Sequence, residues 1–171
     1  ILYLLYRQSG ANGFMVRWPG APDASRYAPA SLAAPWTSLW IATHAAWPIP
    51  EVATNVAMLG SVSDTGDSDG VFRRIRPFRV FDGRLVPALG LALRMMELGS
   101  TDGGTALVQA VRGGLRIGPH EVPLDGEGRA RLRFRGPSGT HRAFSAAAVI
   151  QSELRLAEGG PPAVDPAEFR D

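Results

Sequence analysis

The chain has 171 residues, 45% of them hydrophobic, enough for one domain with a real core. It contains no cysteine, which excludes disulfides and thiolate metal sites in any compartment. The formal charge is +2 and, with no lysine present, all 18 cations are arginine, which reads as a coding bias toward G and C rather than as a function.

No apolar run approaches the roughly 18–20 residues needed to span a bilayer. The opening Ile1–Gln8 is short and apolar, lacks a basic leader, and reads as a helix cut from a longer chain rather than a signal peptide. The glycines at 10 and 13 end it, and Phe14–Trp18 reads as a buried strand. Helix, glycine turn and strand together point to α/β layering.

Residues 19–48 are proline-rich and poorly patterned, with Trp36, Trp40 and Trp47 among them. Such a segment is a ligand lid, an interface or a loop stapled to the core, and stapling is the favoured reading. Pro50 and Glu51 open a helix whose apolar stripe is Val52, Val56 and Leu59, with Gly60 as its stop. Ser61–Ser63 is a short strand candidate.

The acidic turn Asp64–Gly70 superficially resembles a calcium loop. An EF-hand needs a bidentate carboxylate at loop position 12, and counting from Asp64 or Asp67 reaches Ile75 or Phe78. The EF-hand is rejected. The favoured reading is a turn whose carboxylates cap backbone N–H groups and face the arginines that follow, with an irregular cation site as the lesser alternative.

Val71–Phe81 is strand-like, broken at Pro77, and Asp82-Gly83 is a turn. From Pro87 the spacing predicts a helix with Leu89, Leu93 and Met96 inward, Met95 and Met96 as core filler, and Gly99 as its stop. Thr105–Arg112 reads as a short helix, and Leu115–Ile117 with Glu121–Leu124 as a hairpin. After the Asp125–Gly128 turn, Arg129–Arg135 alternates strictly, with Arg129, Arg131, Arg133 and Arg135 on one face and Ala130, Leu132 and Phe134 on the other. Ser145 is placed to cap a final helix, Ala146–Ala157, with Phe144 as its staple and Gly159-Gly160 as its end. DPAEFRD then stops without a closing element, so the chain reads as a piece of something larger.

Chemistry-bearing motifs are few. His44, His120 and His141 are far apart, and neither H-x-x-x-H nor H-E-x-x-H occurs. There is no G-x-S-x-G elbow, no dinucleotide fingerprint, and no P-loop is possible without lysine. No catalytic residue, cofactor or metal follows. The arginine strands read first as a solvated or salt-bridged face and second as a pocket for a small anion. Nucleic acid is disfavoured, because no stacking aromatics interleave the arginines and the acidic turn repels phosphate.

Two ordered segments change this weighing. The first runs from Gly60 through D-S-D-G-V-F-R-R (Asp67–Arg74) and Pro77-Phe78 to V-P-A-L-G-L-A-L (Val86–Leu93). The second comprises V-P-L-D (Val122–Asp125), Gly128, L-R-F-R-G-P (Leu132–Pro137) and F-S-A-A-A-V (Phe144–Val149). Their order and spacing resemble CHASE2, an extracytoplasmic sensory domain of bacterial receptors. Arg133 stands where the family usually has Asn, and Ala88 and Ala148 replace its common Ser and Asp. The recognisable pattern covers residues 60–149, within what the resemblance makes the later two thirds of such a domain.

The resemblance implies a single α/β sensor domain over 1–171, with a mixed sheet flanked by helices and both ends incomplete. It implies a parent chain anchored in the bacterial cytoplasmic membrane, a homodimer, and a cyclase or kinase as intracellular output. The signal, a small molecule or an environmental stimulus, is not carried over. Asp67 and Asp69 paired to Arg73 and Arg74, together with Arg135, are the residues proposed for ligand binding or conformational coupling. The alternative is a soluble α/β hydrolase or transferase fragment using an Asp/His pair.

Overall fold

A computed structural model describes residues 17–20, 22–98, 108–137, 139–140 and 143–169. The expected helix at 1–8 and the strand at 14–18, apart from Arg17 and Trp18, lie outside them. The chain forms two compact units, Ile1–Arg133 and Phe134–Asp171. Among the described residues helices combine with three small antiparallel sheets, so the α/β class holds. Parallel neighbours occur as isolated bridges, Ile41 with Val80 and Ser61 with Ala88, rather than within one mixed sheet.

The first unit is built on a hairpin of β2 (Phe78–Phe81) and β3 (Arg84–Pro87). Asp82 and Gly83 both have positive φ, 46° and 73°, the conformation of a two-residue turn whose twist matches that of the strands it joins. The Asp82 carboxylate accepts from the Trp18 N–H at 2.9 Å, which fixes the turn. Side chains alternate across the hairpin. Phe78 and Leu85 enter one apolar cluster with Trp40, Met95 and Leu115, while Phe81 and Val86 enter another with Tyr27, Val56 and Leu59.

The helix expected from Pro87 instead begins at Leu89, because Arg84–Pro87 is a strand. This strand is largely covered on both sides and carries no alternation to announce it. Helix α2 (Leu89–Glu97) turns Ala92 and Met95 inward, while Leu93 and Met96 are exposed, a correction to the stripe read from the sequence. Gly60 explains the choice of face. A Cβ there would lie 2.7 Å from the Leu89 Cα and 3.3 Å from the Ala92 Cβ, so the chain passes against the helix's small-residue side.

Helix α1 is a single turn, Pro50–Ala53, not the longer helix expected. The Thr54 hydroxyl donates back to the Pro50 carbonyl at 2.8 Å and the Asn55 amide to that of Glu51 at 2.7 Å, local bonds that compete with helix continuation. Val56 and Leu59 are still buried, on irregular chain. Ser61 makes only a bridge to Ala88 where a strand was expected.

The proline-rich segment is stapled to the core. Its 3-10 turns, Ala24–Arg26, Ala30–Ala33 and Trp36–Leu39, carry Tyr27, Ala33 and Trp40 into full burial. Trp47 packs edge-on against Trp18, with ring centres 4.8 Å apart.

Val71–Phe81 breaks near Pro77, as expected, into β1 (Arg74–Ile75) and β2, which take different partners. β4 (Val108–Val111), β5 (Gly114–Ile117) and β6 (His120–Pro123) form a meander. The expected hairpin is therefore present. The helix expected over Thr105–Arg112 is corrected to strand at 108–111, because Arg112-Gly113 is a two-residue hairpin loop and not a helix end. Residues 105–107 lie outside the described set.

The alternating Arg129–Arg135 strand is also shorter than its pattern. Only Ala130–Arg131 forms β7, paired with β1, and one further bond runs from the Leu132 N–H to the Arg73 carbonyl at 2.8 Å. Phe134, set opposite the arginines by the alternation, is 68% exposed.

In the second unit, helix α3 (Ala146–Ala157) lies where the sequence places it. Ser145 occupies the cap position but its side chain makes no capping bond. At the other end Gly160 N–H reaches the Arg155 carbonyl and Gly159 N–H that of Leu156, the paired bonds of a Schellman ending. Buried Ser152 donates to the Ala148 carbonyl and accepts from the Val164 N–H, both at 2.8 Å, tying the following segment to the helix.

Candidate functional site

The acidic turn folds on its own backbone. Gly70 N–H donates to the Asp67 carbonyl at 2.8 Å, and Asp67 N–H to that of Val71 at 2.9 Å. The Asp69 carboxylate accepts from the Val71 N–H at 3.1 Å. This geometry points the carboxylates at the arginines of the strand that follows.

Four of the five residues singled out from the sequence meet here. Arg73 pairs with Asp69 at 2.9 Å and with Asp67 at 3.5 Å, and Arg74 stands 3.9 Å from Asp67. The Arg73 guanidinium, aided by the Val71 N–H, holds the Asp69 carboxyl down at about 2, and Asp69 in turn raises Arg73. Arg135 is exposed and belongs to the second unit.

Two features were not legible as site elements. The first is Asp64, whose side chain is 8% exposed and accepts from the Arg76 N–H at 2.6 Å and the Arg76 guanidinium at 3.1 Å. Arg79 lies 3.6 Å from the same carboxylate and donates to the Ser63 carbonyl at 2.6 Å. The stem of the acidic turn is thus anchored by a buried carboxylate between two arginines.

The second is the Asp125–Gly128 turn. One Asp125 oxygen accepts from the N–H groups of Glu127 and Arg129, both at 2.9 Å, and the other faces the Arg129 Nε at 3.3 Å and the Arg74 Nε at 3.9 Å. Burial pushes the Asp125 carboxyl up, but those N–H groups and the Arg129 guanidinium outweigh it and hold it below the usual carboxylate range. Arg74 therefore stands between the two acidic turns, Asp67 on one side and Asp125 on the other. Beside it opens a cavity of about 670 Å³.

The residues for acid/base chemistry are not assembled in this way. His44 shares a hydrogen bond with the Thr43 hydroxyl, His120 is exposed at the start of β6, and His141 lies outside the described residues. Among the described residues no histidine pairs with a carboxylate, and no group of three His, Asp or Glu side chains is placed to hold a metal ion. Among them, too, no helix is long and apolar enough to cross a membrane.

Comparison with known proteins agrees with the motif series. Residues 14–171 match the model of the CHASE2 domain, a span that extends the 60–149 pattern in both directions and runs through both compact units. No curated protein and no solved structure matches the chain. With the match covering most of its length, the chain belongs to the CHASE2 domain family, a family of extracytoplasmic sensory domains of signalling receptors.

Proposed function

We propose that this domain lies outside the bacterial cytoplasmic membrane and passes a signal, as a change of conformation or dimer geometry, to an intracellular cyclase or kinase in the same chain. Family membership supports the sensor role. The observation that carries the mechanism is the ionic chain from Asp69 and Asp67 through Arg73 and Arg74 to Asp125. It joins two turns that lie more than fifty residues apart in sequence. The contacts of Arg74 on both sides are long, so small displacements redistribute it between two carboxylates. A stimulus shifts such an equilibrium only by interacting better with one arrangement than the other.

The test is the coding sequence around this chain. A membrane helix upstream, with membrane helices and a cyclase or kinase domain downstream, is the expected result. A short frame with neither would overturn the receptor reading.

The second reading, a hydrolase or transferase using an Asp/His pair, has no observation in its favour among the described residues.

A further inference from the structure

Antiparallel pairing sets Arg74 directly opposite Arg131 across the β1–β7 ladder. Residues so paired project to the same face, where two like charges destabilise the pairing. With Arg129 they line the cavity of about 670 Å³, a size that suits a small organic molecule.

The three cations are unequally matched. Arg129 is answered by Asp125 at 3.3 Å and Glu127 at 3.2 Å. Arg74 has Asp67 and Asp125, each at 3.9 Å. For Arg131 no carboxylate among the described residues lies within 4.0 Å. Among the described residues, then, Arg131 faces another arginine beside a ligand-sized cavity with no acid to answer it. Arg131 is itself exposed, as on a plain solvated face; what such a face does not require is a second arginine directly opposite and the side chains of Pro123 and Leu124 beside the pair.

The lining also limits the ligand. Asp125 and Glu127 share the cavity with the arginines and repel an extended polyanion such as nucleic acid, while tolerating one compact anionic head. Guanidinium groups bind carboxylate and phosphate oxygens by the same paired N–H geometry.

We infer that Arg74 and Arg131 together bind the carboxylate or phosphate head of a small organic anion, with its carbon part along Pro123 and Leu124. As the signal of a receptor, this ligand rests on the sensor reading above; as a binding site, it does not. An anion on Arg74 competes with Asp67 and Asp125 and so acts on the ionic chain directly.

The experiment titrates the 171-residue chain with glycerol phosphate and, separately, glutarate at fixed ionic strength against chloride, following the arginine Nε–H signals by NMR. Saturable shifts of Arg74 and Arg131 are expected, with affinity at least about tenfold weaker in Arg131→Ala, the loss of a charged hydrogen bond, and unchanged in the surface control Arg155→Ala. Saturation by glycerol phosphate alone identifies a phosphate ligand, and by glutarate alone a carboxylate. If Arg131→Ala does not fold, Arg131→Gln is the reading variant. Absence of saturation with both probes, or equal affinity in wild type and the Arg131 variant, overturns the site. If neither probe binds while the parent receptor responds to a stimulus, the anion site falls and the sensor reading stands. Binding in a chain whose parent has no output domain gives the reverse.

Discussion

The indole N–H of Trp40 donates to the Gly128 carbonyl at 2.9 Å and so ties the proline-rich segment to the Asp125–Gly128 turn. Trp40 is fully buried, and Gly128, at φ 70°, comes so close that a Cβ would lie 2.7 Å from the indole nitrogen. Trp40→Phe removes the donor and leaves a buried carbonyl unmatched, at a cost of about 1–3 kcal/mol. Gly128→Ala adds backbone strain to the clash and is expected to cost more than about 1 kcal/mol. Urea unfolding of both variants measures this. Wild-type stability in both would show that the turn is not held through Trp40.

Asp64 is the residue whose loss matters most to the acidic turn. Its carboxylate is almost covered and faces two arginines, so Asp64→Ala takes the close counter-charge from the partly buried Arg76 and removes one carboxylate from beside Arg79. Breaking a buried pair from one side costs about 3–5 kcal/mol. The expected outcome is a large fall in melting temperature, with Asp69→Ala, at a half-exposed carboxylate, giving a smaller one. Equal effects from the two substitutions would contradict the distinction.

The Asp69 carboxyl is depressed to about 2, mainly by the Arg73 guanidinium. A depressed carboxyl stabilises the fold above its unfolded pKa, about 3.9, and loses that contribution as pH falls through its folded value. The denaturant midpoint of wild type should therefore decline more steeply than that of Asp69→Asn between about pH 4 and pH 2. Asp125, also lowered, acts in the same direction, so a decline persists in the variant. Parallel curves for the two proteins would remove Asp69 from the pH response.

At the end of α3, Gly159 sits at φ 78° and carries the helix-ending bonds. Gly159→Ala forces a Cβ into the left-handed region, with an expected cost of about 1–2 kcal/mol. Loss of helical circular dichroism at a lower temperature is the readout. An unchanged melting curve would mean that the ending contributes nothing to stability.

What the sequence made legible divides by the range of the interaction. Asp82-Gly83, the hairpin around Gly118, helix α3 and the pairing of Asp67 and Asp69 with Arg73 are local, and spacing within a few residues suffices to read them. β3 was missed because it is largely covered on both faces and shows no alternation. The face of α2 was misread because Leu93 and Met96 outweigh Ala92 in apolarity, whereas close approach at Gly60 selects the small side. Arg129–Arg135 alternates well, yet only two of its residues find a partner in β1, so periodicity overstated the strand. The pairing of Asp64 with Arg76, and of Arg74 with Asp125 and Arg131, depends on topology that no local pattern encodes.

In the proposed mechanism the Asp67–Arg74–Asp125 chain couples signal to output. The measurement to make is the stimulated output activity of the proposed parent receptor carrying Asp67→Ala, set beside the thermal stability of the 171-residue chain. Altered output is expected, with the stimulus acting on a chain already broken at Asp67, together with a fall in stability, because the Asp67 side chain is mostly covered. Output and stability both equal to wild type would contradict it.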